Sequence, residues 1–142
     1  MKKCDEVMTK DPVCCLPTDS VAKAAELMKS RNVGSIPVIE NEQTQKLVGI
    51  VTDRDLALTI VAVGRDAKST NVDAVMTYKV VSCLAEDDLQ KALDAMAKQQ
   101  LRRIRVVDRN NRIVGIITQA DVATRVDQPE KTAEMVKEIS QN

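Results

Sequence analysis

The pattern of apolar and polar positions occurs twice along this chain. Apolar residues follow the i, i+3, i+4, i+7 spacing of one helix face in two places: Val21, Ala24, Ala25 and Met28, and then Leu89, Ala92, Leu93 and Met96. Polar clusters directly before each stripe, at residues 18–20 and 86–88, supply acceptors for the free N–H groups of a helix start. The pattern therefore predicts two amphipathic helices at equivalent positions.

Strand patterns surround each predicted helix. The predicted strands, each followed by its counterpart in the second copy, are 13–16 (80–84), 35–39 (103–107) and 47–51 (113–117). The last pair is almost continuously apolar, which favours sheets covered by helices. A second helix is expected to start near Thr52 and near Thr118. Each copy thus has the predicted order β-α-β-β-α.

Residue identities support a duplication. Val7-Met8-Thr9 recurs as Val75-Met76-Thr77, and Gly49-x-x-Thr52-x-x-Asp55 recurs as Gly115-x-x-Thr118-x-x-Asp121. We divide the chain into a first motif at 1–64, a linker at 65–71, a second motif at 72–126 and a helical tail at 127–142. In the first motif the second helix is apolar on nearly every side until Gly64. Such a helix must be buried, so we expect another chain to cover it.

Composition narrows the class of function. The chain has no Trp, no Phe and one Tyr, so bases could hardly stack on aromatic side chains. Its 21 basic residues balance 21 acidic ones, which removes a net attraction to nucleic acids or anionic membranes. His, the commonest acid–base catalyst, is absent. We therefore expect neither an enzyme nor a nucleic-acid-binding protein.

Location and metal binding are predicted from absences. The sequence has no apolar run of 18 residues and no apolar leader, so we expect a cytoplasmic protein with no membrane contact. Its four cysteines do not have zinc-ligand spacing, and we expect no metal site. They are predicted to be small buried apolar residues, with Cys4 the most exposed.

The order, spacing and duplication of these motifs resemble a pair of CBS domains. The resemblance rests on the opening Val-Met-Thr, the Gly-containing strand that ends in Thr, and the Asp three residues later, and it covers residues 7 to about 126. It implies a mixed α/β fold in which tandem β-α-β-β-α motifs are related by pseudo-twofold symmetry, with small sheets flanked by helices. It also implies clefts that bind AMP, ADP, ATP or S-adenosylmethionine, and a homodimer.

Two hypotheses are open for the Thr-x-x-Asp motifs. The resemblance implies that Asp55 and Asp121 bind ribose, and that Thr52 and Thr118 hold ribose or phosphate. A strand that runs into a helix start suits a phosphate, and a glycine on that strand permits close backbone approach. The same spacing also fits a capping box, in which Thr and Asp only cap the helix. The two roles are compatible.

The resemblance also implies an adenine slot and phosphate contacts. The slot would contain Val13, Cys14, Ile36 and Pro37 in the first motif, and Val81, Ser82 and Ile104 in the second. The alternative is that these residues are ordinary core. Arg54 could bind a phosphate, and Arg103 and Arg105, on one face of a strand, could clamp one. The alternative for the two strand arginines is a solvated surface strand.

The sequence thus favours a regulatory module that binds an adenosyl ligand and acts on a separate protein. The alternative is a ligand-independent scaffold for dimerisation and docking.

Overall fold

The computed structural model describes residues 2–125, which form two compact units. The first unit is Val13–Val80, and the second unit combines Met1–Pro12 with Val81–Asn142. In chain order, the helices and strands are α1 (Cys4–Val7), β1 (Thr9–Lys10), α2 (Val21–Arg31), β2 (Ser35–Ile39), β3 (Leu47–Thr52), α3 (Asp53–Leu56), β4 (Ser82–Leu84), α4 (Leu89–Gln99), β5 (Arg103–Val107), β6 (Ile113–Thr118) and α5 (Gln119–Arg125). The predicted tail at 127–142 lies outside the described residues.

The first unit packs α2 against the antiparallel pair β2–β3. Ser20 caps α2, since its hydroxyl oxygen accepts a hydrogen bond from Lys23 N at 3.1 Å, and the helix ends at Asn32 in a left-handed conformation. The apolar stripe of α2 faces the core, which includes Val21, Ala24, Met28, Ile36, Val38 and Val51. The spacing of apolar residues therefore predicted this helix and three residues of its buried face, whereas the fourth, Ala25, is exposed.

The second unit contains a four-stranded sheet in the order β1-β6-β5-β4. The pair β4–β5 is parallel and the other neighbours are antiparallel. The stripe of α4 packs on a core that includes Leu89, Ala92, Leu93, Met96, Ile104, Val106 and Ile117. Both units are small sheets flanked by helices, as predicted.

The opening segments of the two copies are exchanged between the units. In the second unit, Thr9 pairs with Ile116 and Lys10 with Gly115. In the first unit, Thr77 and Ile50 exchange two backbone hydrogen bonds of 2.8 and 2.9 Å. The sequence placed 1–12 in the first motif and 72–80 in the second, but each segment packs with the other copy. The structural reason is this backbone pairing to a strand far away in sequence.

The predicted linker at 65–71 packs on the first unit. Val21 N donates to Thr70 O at 2.8 Å, Ala22 N donates to Ala67 O at 3.0 Å, and Thr70 is buried. The segment therefore caps the start of α2, because it supplies carbonyl acceptors to N–H groups that have no partner inside the helix.

Two predicted elements differ from the structure. The strand expected at 13–16 is reduced to a single bridge between Cys15 and Val38. The long helix expected after Thr52 is the short α3, followed by a π-helical turn at Ala57–Val61. Cys4, expected to be the most exposed cysteine, is fully buried. Within residues 2–125, no helix is long and apolar enough to cross a membrane.

Candidate functional site

Both Gly-x-x-Thr-x-x-Asp motifs lie where a core strand turns into a helix. Thr52 ends β3, and Thr118 ends β6. Asp55 N donates to Thr52 Oγ1 at 3.0 Å, and Thr52 N donates to Asp55 Oδ2 at 3.0 Å. In the second unit, the corresponding distances are 3.1 and 3.0 Å. The capping box is therefore confirmed in both motifs. It uses only one carboxylate oxygen of each Asp, so the second oxygen decides what else each Asp can bind.

The glycine of each motif makes room for the opening segment. A Cβ on Gly49 would lie 2.8 Å from Met76 Sδ and 3.0 Å from Thr77 O. A Cβ on Gly115 would collide with Met8 Sδ and lie 2.9 Å from Thr9 O. The sequence predicted a close backbone approach at these glycines. The group that approaches is the chain's own Val-Met-Thr segment.

The second carboxylate oxygen of Asp121 is already engaged. Thr9 Oγ1 donates to Asp121 Oδ1 at 2.9 Å, and Arg125 Nη2 lies 4.0 Å from the same oxygen. Arg125 is held in place because its Nη1 donates to Val7 O at 3.0 Å and to Met8 O at 2.9 Å. Asp121 is only 8% exposed. Thr9 and Arg125 were missed at the sequence level, although Thr9 belongs to the repeated Val-Met-Thr.

Asp55 is half-buried, and its second carboxylate oxygen is open. Within residues 2–125, no hydrogen bond reaches Asp55 Oδ1. Thr77, the counterpart of Thr9, is exposed and pairs through its backbone. Thr59, the counterpart of Arg125, donates its hydroxyl to the backbone carbonyl of Asp55. The first unit therefore presents a carboxylate oxygen, and the Thr52 hydroxyl beside it, with hydrogen-bonding capacity to spare.

Neighbouring residues complete the surroundings of Asp55. Ser35 is the cross-strand neighbour of Thr52. Asp53 N donates to Gly34 O at 2.9 Å, and this places the Asp53 carboxylate against the glycine. Arg54 is exposed, and its guanidinium forms no hydrogen bond or ion pair with the rest of the described chain. Arg54 is thus an exposed cation at the position before Asp55 in the chain.

The residues predicted for an adenine slot divide into two groups. Ile36 and Ile104 are fully buried core residues, as the alternative interpretation proposed. Pro37 is also buried, and its carbonyl accepts a hydrogen bond from Cys15 N at 3.0 Å. The accessible members are Val13, Cys14 and Val81, which are half-buried, and Ser82, which is exposed.

The two arginines of β5 have different environments. Arg103 is half-buried and lies opposite Thr118. Arg105 is only 6% exposed and lies between Ser82 of β4 and Ile116 of β6. The interpretation as a fully solvated strand is therefore wrong at Arg105. A phosphate near Thr118 would meet Arg103 first.

Three of the four thiols, those of Cys4, Cys15 and Cys83, lie in the two cores, whereas Cys14 is half-buried. Burial raises the pKa of Cys15 to about 12, with the nearby Asp19 carboxylate adding to the effect. A hydrogen bond with Cys4, together with burial, raises the pKa of Cys83 well above its usual range. Neutral thiols of this kind are poor nucleophiles and poor metal ligands. Among residues 2–125, no cluster of three His, Cys, Asp or Glu side chains could hold a metal ion.

Comparison with known proteins identifies the repeated unit. The family model for the CBS domain matches residues 4–62 and 72–127. CBS domain-containing protein YhcV of Bacillus subtilis is 38% identical over 140 residues, which cover 99% of this chain and 96% of that protein. The crystal structure of AcuB from Vibrio cholerae has a TM-score of 0.78 and 28% identity, and covers 99% of this chain and 96% of that one.

An enzyme relative matches only in part. Inosine-5'-monophosphate dehydrogenase of Methanocaldococcus jannaschii is 35% identical over 130 residues, which cover 92% of this chain but 25% of the enzyme. The similarity thus spans a quarter of that protein, whereas YhcV matches over nearly its whole length. This chain belongs to the CBS-domain family and contains a tandem pair of CBS domains.

Proposed function

We propose that this CBS pair is a regulatory module that binds an adenosyl ligand in its first unit, with Asp55 as the ribose acceptor. One observation carries the proposal: Asp55 is half-buried, and its Oδ1 has no hydrogen-bond partner within residues 2–125. A carboxylate in this state can accept hydrogen bonds from both vicinal hydroxyls of a ribose, as an acidic residue does in dinucleotide-binding folds.

Two neighbouring side chains suit the rest of such a ligand. The Thr52 hydroxyl accepts from Asp55 N and still has its own proton to donate to a ribose or phosphate oxygen. The exposed Arg54 guanidinium can pair with a phosphate, and Asp53 next to it would repel a phosphate on the Gly34 side. The half-buried Val13 and Cys14 remain the proposed contacts for adenine.

Regulation requires that the ligand prefer one state of the protein. A ligand that binds one arrangement 100-fold more tightly than another supplies about 2.7 kcal/mol of bias. In the first unit, Leu58, Val61 and Val63 are exposed by 52%, 77% and 63%. These residues would form a homodimer interface or a contact with a separate regulated protein, and they follow Asp55 within a few residues.

The test is thermal unfolding and calorimetric titration with AMP, ADP, ATP and S-adenosylmethionine. A ligand at 100 times its dissociation constant stabilises the folded state by about 2.7 kcal/mol, which is several degrees for a chain of this size. We expect Asp55→Asn to lose that shift, because an amide oxygen cannot replace both carboxylate oxygens. Asp53→Asn removes the same charge two residues away, and it should keep the shift or enlarge it for a phosphate-bearing ligand, because Asp53 would repel a phosphate.

A ligand-independent scaffold is the second candidate, favoured by the same exposed apolar residues. Sedimentation measurements with and without each nucleotide separate the two functions. A stable oligomer whose melting temperature and oligomeric state do not change with any nucleotide supports the scaffold and contradicts the regulatory proposal.

A further inference from the structure

We infer that Thr9 and Arg125 close the ribose acceptor of the second unit, so that the chain binds one adenosyl ligand at Asp55 and none at Asp121. The inference rests on the proposed function of Asp55. It assigns to two residues outside the repeated Gly-x-x-Thr-x-x-Asp the role of deciding how many ligands the pair takes up.

Access to the Asp121 carboxylate is restricted by hydrogen bonds and burial. Asp121 Oδ2 accepts from Thr118 N at 3.0 Å, and Oδ1 accepts from Thr9 Oγ1 at 2.9 Å. The Asp121 side chain is only 10% exposed. Oδ1 has a second lone pair, but Thr9 and Arg125 lie against this oxygen in a side chain that is almost buried, so a ribose would have to move the Thr9 hydroxyl to bring both vicinal hydroxyls to the carboxylate.

A positive charge lies beside Asp121 Oδ1. Arg125 Nη2 lies 4.0 Å from Asp121 Oδ1, and Nη1 of the same side chain donates to the Val7 and Met8 carbonyls. The guanidinium thus joins α5 to the segment that carries Thr9. Displacing Thr9 from Asp121 would also disturb these hydrogen bonds, so the closed arrangement is held from two sides.

The counterparts of Arg125 and Thr9 in the first unit make different contacts. The counterpart of Arg125 is Thr59, whose hydroxyl donates to the Asp55 backbone carbonyl and leaves the carboxylate alone. The counterpart of Thr9 is Thr77, whose hydroxyl has no partner within residues 2–125. Neither closing contact is made at Asp55, although the capping box is the same.

The experiment counts bound AMP per chain by equilibrium dialysis with labelled nucleotide. Wild type is expected to bind one AMP, and Asp55→Asn none. The double variant Thr9→Val/Arg125→Thr is expected to bind two AMP. Its second substitution introduces at position 125 the residue type of the first-unit counterpart, Thr59. Adding Asp121→Asn to the double variant should return the count to one. Thr77→Val is the matched control, and its count should equal that of wild type.

Two outcomes would overturn the inference. One is a wild type that binds two AMP per chain and loses one with Asp121→Asn. The other is a folded Thr9→Val/Arg125→Thr variant that still binds one. If that double variant fails to fold by circular dichroism, Thr9→Val alone is counted, because it keeps the Arg125 contacts and the backbone pairing. A count of one in Thr9→Val then overturns the inference.

A separate readout covers the case in which wild type binds no AMP, which would count against the proposed function. Thr9→Val is expected to lower the melting temperature of wild type and to have little further effect in Asp121→Ala, because the shared hydrogen bond is already gone. Additive shifts in the two backgrounds would show that Thr9 does not act through Asp121.

Discussion

The two units carry the same motif and the same helix cap, yet their aspartates are in opposite states. Asp121 is buried and held by Thr9, Thr118 and Arg125. Within residues 2–125, Asp55 makes only the side-chain contacts of its cap, and its second carboxylate oxygen is open. The motif therefore sets a local structure. Residues from distant segments decide whether the aspartate of the motif is structural or available for binding.

The two units also differ in the side chains that they expose. Among residues 2–125, the large apolar side chains that are exposed all belong to the first unit: Leu58, Val61, Val63 and Tyr78. The second unit carries surface ion pairs, including Lys3–Asp88 and Arg109–Glu86. Exposed apolar groups favour contact with another molecule, and mixed surface charge favours water. The open carboxylate and the exposed apolar surface thus occur in the same unit.

The largest expected difference between the units is the cost of removing each aspartate. Asp121→Ala removes the carboxylate half of the capping box and leaves Thr9 and Arg125 without their shared acceptor, so we expect a loss of about 3 kcal/mol in unfolding free energy. Asp55→Ala loses only the carboxylate half of its capping box and is expected to cost about 1 kcal/mol. Denaturant unfolding without ligand measures both, and equal losses would contradict the comparison.

A smaller difference is expected when the motif glycines are replaced. Gly115→Ala would force Met8 and the Thr9 carbonyl away from β6, and we expect it to cost about 2 kcal/mol. Gly49→Ala meets Met76 and the Thr77 carbonyl at slightly longer distances and is expected to cost about 1 kcal/mol. Thermal unfolding of the two variants shows which of them loses more stability. A larger loss for Gly49→Ala would contradict the expectation that the opening segment packs more tightly on Gly115.

The smallest expected difference is the response to acid. Hydrogen bonds from Arg109 and Lys3 hold the pKa values of the Glu86 and Asp88 carboxyls below their ordinary values of 4.5 and 3.8. A carboxyl whose pKa is lower in the folded state adds stability above its unfolded pKa, and this is lost as pH falls through the folded pKa. Both carboxyls belong to the second unit, so its stability should decline first below about pH 4.5.

Amide hydrogen exchange in α4 and α2 measures this response separately in each unit. The effect should shrink in high salt, because these groups lie at the surface. Arg109→Gln and Lys3→Gln should abolish it, and an equal acid response of α2 and α4 in wild type would contradict it.

Much of the fold could be predicted because it depends on local patterns. The stripes that form α2 and α4, the apolar runs that form β3 and β6, and the Thr-x-x-Asp caps are set by residues within a few positions of one another. The helix after Thr52 was predicted less well. Its apolar run gave no signal for the short α3, the π-helical turn or the exposure of Val61.

The candidate site could be predicted only in part. The sequence located Thr52, Asp55, Thr118 and Asp121 at two strand ends, and it left cap and ribose contact as alternatives. It did not reveal that Ile36 and Ile104 are wholly core, or that Arg105 is buried. Periodicity places a side chain on one face of a strand, but whether that face is covered depends on elements elsewhere in the chain.

The duplication, the helix–strand–strand–helix order in each copy, the Thr-x-x-Asp caps and the membership of the CBS-domain family could all be inferred from the sequence. The packing of the opening segments with the opposite copies and the closure of Asp121 became apparent only in the tertiary structure. The Thr9–Asp121 hydrogen bond joins residues 112 positions apart, and the Arg125–Val7 bond joins residues 118 apart. Contacts over such distances leave no periodic trace in the sequence, because backbone pairing and packing between remote segments create them.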